Sequence, residues 1–258
     1  MNRPSRAVPS PSSIIISALF LGIVVLVASW GTSRAVTYLT GDDAPSWMSI
    51  FINYSTMLAV TLVLVLASSM GDPSGFGFRF PGPGRGSYGV CVNWGLLLGV
   101  VATIATLLTG SGGVRVMQGL GFWQMVLLIW LFASVAEEVL VRGYIQGYLE
   151  PLRGYGFRAF GMRFSVPVLL SALLFSLMHL VLVTTGARPM AIYVVMVFTF
   201  FLGLVAAYQR EKSDSVLPPI VAHISFNVGG VIGALLFVIA QLVIFGKSAA
   251  EVAKIIVG

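Results

Sequence analysis

The chain has 258 residues, 57% of them hydrophobic and only 9% charged, with a mean hydropathy of +0.96. Soluble domains carry about 25% charged residues, so this composition excludes a water-soluble globule and implies a polytopic membrane protein. The formal charge of +6 is scattered through short connections and forms no block, which argues against nucleic-acid binding, and the single cysteine, Cys91, excludes an intrachain disulfide, a C-x-x-C redox pair and a thiolate metal site.

The chain begins with a polar, Pro/Ser-rich segment, MNRPSRAVPSPSS, and residues 1–12 are expected to form a cytoplasmic tail ahead of one membrane domain over 13–258. Arg3 and Arg6 followed by the apolar run 14–30 share the plan of a secretory signal peptide, but the length of the run and the spans after it favour a membrane helix. Further apolar runs cover 47–67, 89–109, 122–148, 166–184, 190–208 and 217–245. Most approach or exceed the ~20 residues that cross a bilayer as a helix, and none alternates with the period of two expected of a barrel. The last run is too long for one ordinary span and holds Gly229, Gly230 and Gly233 near its middle, so it divides there into two. The expected fold is an all-α polytopic transmembrane bundle of about eight helices.

Orientation follows from the basic residues in the connections. With the amino-terminal end inside, the inner segments hold 11 of them, from Arg3 to Lys254, and the outer segments hold three, Arg34, Arg115 and Arg188. The expectation is a cytoplasmic amino terminus in a prokaryotic cell membrane.

Of nine acidic residues, seven lie at or beyond the ends of apolar runs, leaving Glu137 and Glu138 near the middle of the fourth, in the stretch AEEVLVRG. Arg142 is in the same run. Both histidines, His179 in FSLMH and His223 in HISFN, also fall inside apolar runs. Each ionisable residue at a membrane helix centre costs about 2.5–3.5 kcal/mol on insertion scales, so such a set points to a site within the membrane. At about 100° per residue, Glu138 and Arg142 share a helix face and can pair, and Glu137 points about 100° away from Glu138, so it is freer to face a cavity. His223 shares a face with Asn227, and Phe175 with His179. Gly95 and Gly99 in GLLLG, and Gly143 and Gly147 in GYIQG, are spaced for close approach of another backbone.

A carboxylate and an imidazole converging on one water form a general-base pair, and a second imidazole with a carboxamide supplies donors for an oxyanion. The expected chemistry is peptide hydrolysis without a serine or cysteine nucleophile. The patterns E-E-x-x-x-R (Glu137 to Arg142), F-x-x-x-H (Phe175 to His179) and H-x-x-x-N (His223 to Asn227), in this order, resemble the CPBP or Abi family of intramembrane proteases, which includes the CAAX prenyl endopeptidases of Ras-converting type. The resemblance covers about 123–229, with a catalytic core at about 122–230. It implies that Glu137 and His179 activate water, that His223 and Asn227 hold the oxyanion, and that Glu138 with Arg142 organises the site. It implies no cofactor and no metal. The implied partner is a membrane-associated peptide or a prenylated protein C-terminus, with the bilayer around it; relatives that process peptides or confer bacteriocin immunity leave the prenyl group open. Val141 and Ile224 depart from residues common in relatives and bear on the shape of the cavity.

Other readings of the polar set stay open on sequence. A Zn or Fe site would use the two Glu and two His, although no H-E-x-x-H is present. A proton- or ion-coupled transporter would also bury Glu, His and Arg. Simple pairing would leave a membrane scaffold.

Overall fold

The computed structural model describes residues 10–41, 45–82, 85–109 and 120–252. Arg3, Arg6, Arg115 and Lys254, which contribute to the orientation argument, lie outside the described residues, as does most of the expected tail. Seven described helices are long and apolar enough to cross a membrane. They are α1 (Pro11–Thr40), α2 (Ser46–Ser69), α3 (Tyr88–Leu108), α4 (Phe122–Tyr148), α5 (Val166–Thr184), α6 (Pro189–Ser213) and α7 (Leu217–Ile244). The protein is thus an all-α polytopic bundle. Apolar residues on α1 such as Ile16, Phe20 and Val27 face outward, where lipid takes the place of water as solvent.

Local chemistry explains where the helices begin. Ser10 accepts from the Ser13 amide and Pro11 opens α1, while Ser87 and Ser165 cap α3 and α5 through the amides of Val90 and Val168. The seventh helix opens on Leu217-Pro218-Pro219, where missing N–H groups are harmless. The first helix runs ten residues past the expected end at Trp30. In that extension Thr32, Thr37 and Thr40 donate to the carbonyls four residues earlier, and Ser33 donates to the Ser49 carbonyl of α2 at 2.9 Å. These bonds satisfy the hydroxyls of a segment that composition alone marks as a connection.

The expected division of the last run does not occur. Helix α7 continues through Gly229, Gly230 and Gly233 because these glycines are a packing surface: a Cβ at Gly229 would meet Leu96 and one at Gly233 would meet Val100, both through the backbone of α3. From the other side, Gly95 and Gly99 lie against the Ala222 and Phe226 carbonyls of α7. Four small residues therefore seat two backbones against each other, and α3 with α7 forms the most extensive helix pair. Gly143 and Gly147 serve differently. They receive Phe78 and Phe76 from the connection between α2 and α3, and Phe76 stacks on Tyr144 with centroids 5.9 Å apart.

Between α4 and α5 the chain forms a small hairpin, β1 (Gly156–Ala159) and β2 (Met162–Ser165), absent from the expectation. Phe160 and Gly161 turn it with φ of 53° and 74°. The hairpin adjoins an ion network at the same end of the bundle. Asp214, which ends α6 in the left-handed region, accepts from Arg79 at 3.0 Å and Arg85 at 3.2 Å, and Arg153 joins it at 3.5 Å while also pairing with Glu150 at 3.0 Å. Arg210, taken from sequence as a connection residue, is buried in the last turn of α6, where it donates to the Arg142 carbonyl of α4 at 3.2 Å and the Gly75 carbonyl at 3.1 Å. These bonds tie the end of α6 to the helix that carries both intramembrane carboxylates.

Candidate active site

The fourth helix has an uneven hydrogen-bond ladder. Residues Ser134–Glu138 form an ordinary α-helical turn, while Met125–Ala133 before them and Val139–Ile145 after them have the wider i→i−5 spacing. Wide turns of this kind concentrate at functional sites, and here two of them bracket the segment that projects Glu137 and Glu138 into the bundle.

Glu138 and Arg142 have no exposed surface, and Arg142 Nη1 donates to Glu138 Oε1 at 2.9 Å, the i,i+4 pair expected from their spacing. Nη2 of the same guanidinium points to the Gly203 carbonyl at 3.4 Å, and its Cζ lies 4.1 Å from the centroid of the Phe175 ring. The pair is thus clasped by α6 on one side and α5 on the other. Breaking a buried pair by removing one partner costs about 3–5 kcal/mol, so the three helices are held in a fixed relation.

His223 enters between the two carboxylates. Its Nδ1 is 3.0 Å from Glu138 Oε1, and its Nε2 is 3.9 Å from Glu137 Oε2, too far for a direct hydrogen bond. Because Glu138 Oε1 already accepts from Arg142, it is best satisfied as a carboxylate receiving Nδ1–H, which leaves Nε2 as the working nitrogen of His223. Glu137 and His223 keep only 8% and 7% of their surface, so both groups act away from bulk solvent.

His179 stands late in α5, where the helix tightens into i→i−3 turns over His179–Thr185. Its Nδ1 lies 2.8 Å from the Phe175 carbonyl. A carbonyl only accepts, so Nδ1 carries the proton and Nε2 is free to take one. The Phe175 ring, fully buried, meets both imidazoles edge-on, with centroids 5.2 Å from His179 and 5.3 Å from His223. Phe175 therefore touches Arg142 and both histidines, and fixes their spacing by packing. Asn227, one turn after His223, donates to the Ser134 hydroxyl at 3.1 Å, one turn before the carboxylates.

All six residues singled out in the sequence thus belong to one region of α4, α5 and α7. Glu137 Oε2 lies 3.9 Å from His223 Nε2, and His179, edge-on to Phe175, is within reach of the Glu137 charge. Two further groups enter that the sequence reading did not select. Ser134 orients Asn227, and Tyr54 of α2 donates its hydroxyl to Glu137 Oε1 at 3.1 Å. A signal for Tyr54 was present, because Asn53-Tyr54-Ser55-Thr56 interrupts the apolar run of α2 near its middle. Among the described residues, no three His, Cys, Asp or Glu side chains are arranged as a metal-ligand set.

Residues 119–229 match the Rce1-like family, described as type II CAAX prenyl endopeptidase Rce1-like. No match was found among curated proteins or solved structures. The matched stretch contains Glu137, Glu138, Arg142, His179, His223 and Asn227. Over that stretch the chain, an integral membrane protein, is similar to the Rce1-like family of endopeptidases.

Proposed function

We propose that the protein is an intramembrane endopeptidase in which Glu137, working with an imidazole, activates water against a peptide bond near the C-terminus of a prenylated, CAAX-type or otherwise membrane-associated peptide. The observation that carries this reading is the buried Glu137 carboxylate, held at Oε1 by Tyr54 while Oε2 looks toward His223 Nε2 at 3.9 Å. Water gives a proton to Glu137, its oxygen adds to the scissile carbonyl carbon, and the tetrahedral oxyanion accepts hydrogen bonds from Asn227 and from His223. With Nδ1–H committed to Glu138, His223 becomes an oxyanion donor when Nε2 is protonated, and Glu138 stabilises that imidazolium. His179, with a free Nε2, assists in orienting the water. Collapse breaks the C–N bond, and the proton taken by Glu137 passes to the departing amine.

The Glu138–Arg142 pair organises the site by fixing His223. In this mechanism no metal is required and no side chain becomes acylated. The same reading sets the amino-terminal end on the cytoplasmic side. With the last run a single helix, Lys247 and Lys254 pass to the outer set, and the inner segments still hold nine basic residues against five.

The test is incubation of the purified protein with a farnesylated CAAX peptide and its unprenylated twin, each with and without chelator, followed by mass spectrometry. The proposal expects loss of the residues after the cysteine, unaffected by chelator, and faster for the farnesylated peptide. Cleavage that chelator abolishes and Zn restores overturns the metal-free mechanism; equal cleavage of both peptides overturns the prenyl specificity.

A further inference from the structure

We infer that Tyr54 is a positioning residue for Glu137, contributed by a helix outside the family-matched segment; the inference deepens the protease reading and rests on it. Glu137 Oε1 accepts from the Tyr54 hydroxyl at 3.1 Å across 83 positions of sequence, a contact between α2 and α4. Among the described residues, the other hydrogen bonds of the site serve other groups: Arg142 and His223 Nδ1 go to Glu138, and Asn227 goes to Ser134. Tyr54 is therefore the group that decides which way the Glu137 carboxyl is turned.

The geometry gives the hydroxyl a defined effect. A carboxylate on a two-bond tether rotates about its last torsion, and that torsion is broad. A hydrogen bond at Oε1 fixes its plane and leaves Oε2 on the side of His223. The Tyr54 ring is itself held, since it packs against the buried core, so its hydroxyl has a fixed origin. The family match, residues 119–229, does not reach α2, and Tyr54 would escape any search confined to it. The first helices thus contribute to the site directly, by orienting the base.

The experiment compares wild type, Tyr54→Phe and Glu137→Gln on the farnesylated peptide, all as the purified full chain. Phenylalanine keeps the ring and removes only the hydroxyl. A positioning role predicts that kcat falls about tenfold in Tyr54→Phe, with KM within about twofold and an unchanged unfolding temperature, the size expected for losing one hydrogen bond to a charged group. An unchanged kcat in Tyr54→Phe overturns the inference, and so does a rise in KM with kcat retained. If Glu137→Gln cleaves as fast as wild type, the protease reading itself has failed. Infrared difference spectra with 13C-labelled glutamate decide the positioning claim even if the peptide is not a substrate. Tyr54→Phe minus wild type should show a displaced carboxyl band that vanishes when both proteins carry Glu137→Gln. Absence of that band overturns the inference whatever the peptide does.

Discussion

Arg142 shows at the scale of one residue how a charge is kept inside an apolar bundle. Its side chain is fully enclosed, with Glu138 at 2.9 Å and the Phe175 ring at 4.1 Å. Substituting Arg142→Met strands Glu138, at a cost of about 3–5 kcal/mol, so the unfolding temperature in detergent should drop sharply. The double variant Arg142→Met, Glu138→Gln removes the stranded charge and should recover much of that loss while cleavage stays low, because His223 has then lost its carboxylate. A double variant less stable than the single one contradicts this account of the pair. The residues themselves were legible in the sequence because an intramembrane charge is costly enough to need a reason. Which imidazole meets which carboxylate was not legible, since that depends on how α5 and α7 are rotated against α4. Tyr54, marked only by the polar stretch Asn53-Tyr54-Ser55-Thr56, was easy to pass over for a related reason: a tyrosine in a span costs little, and its partner lies 83 positions away.

Among the elements, the contact of α3 with α7 determines where His223 and Asn227 stand. Gly95 and Gly99 lie against the Ala222 and Phe226 carbonyls, on the turns that carry those two side chains. A side chain at Gly99 must push α7 away, so Gly99→Leu should cost about 1–3 kcal/mol of stability and reduce cleavage together. Gly31→Leu, where an added Cβ would meet no atom within 4 Å beyond its neighbours and its own helix backbone, is the matched control and should change stability by no more than about 0.5 kcal/mol. Thermal unfolding and peptide cleavage of the two variants check this; equal effects at both positions contradict the packing argument. The sequence marked these glycines but left their use ambiguous. A glycine inside an apolar run breaks a helix or seats a neighbour, and only the facing Leu96 and Val100 backbone shows that Gly229 and Gly233 do the second. The hairpin was missed because its strands have four residues each, too short for a period to stand out among connections.

For the whole molecule, the all-α membrane class followed from composition, since seven long apolar helices are what a chain with 9% charged residues must form to satisfy its backbone in lipid. Orientation is testable because Cys91 is buried, so an introduced cysteine reports alone. A membrane-impermeant maleimide applied to intact cells should label Arg188→Cys and spare Arg158→Cys, and the reverse pattern contradicts the cytoplasmic amino terminus. The central claim is that Glu137 is the base of a peptidase buried within the bundle. Its most direct test is the cleavage rate of Glu137→Gln on the farnesylated peptide, measured beside wild type at matched unfolding temperature. The account predicts a loss of about a hundredfold or more, the range of a lost general base. A folded Glu137→Gln protein that cleaves at the wild-type rate contradicts it.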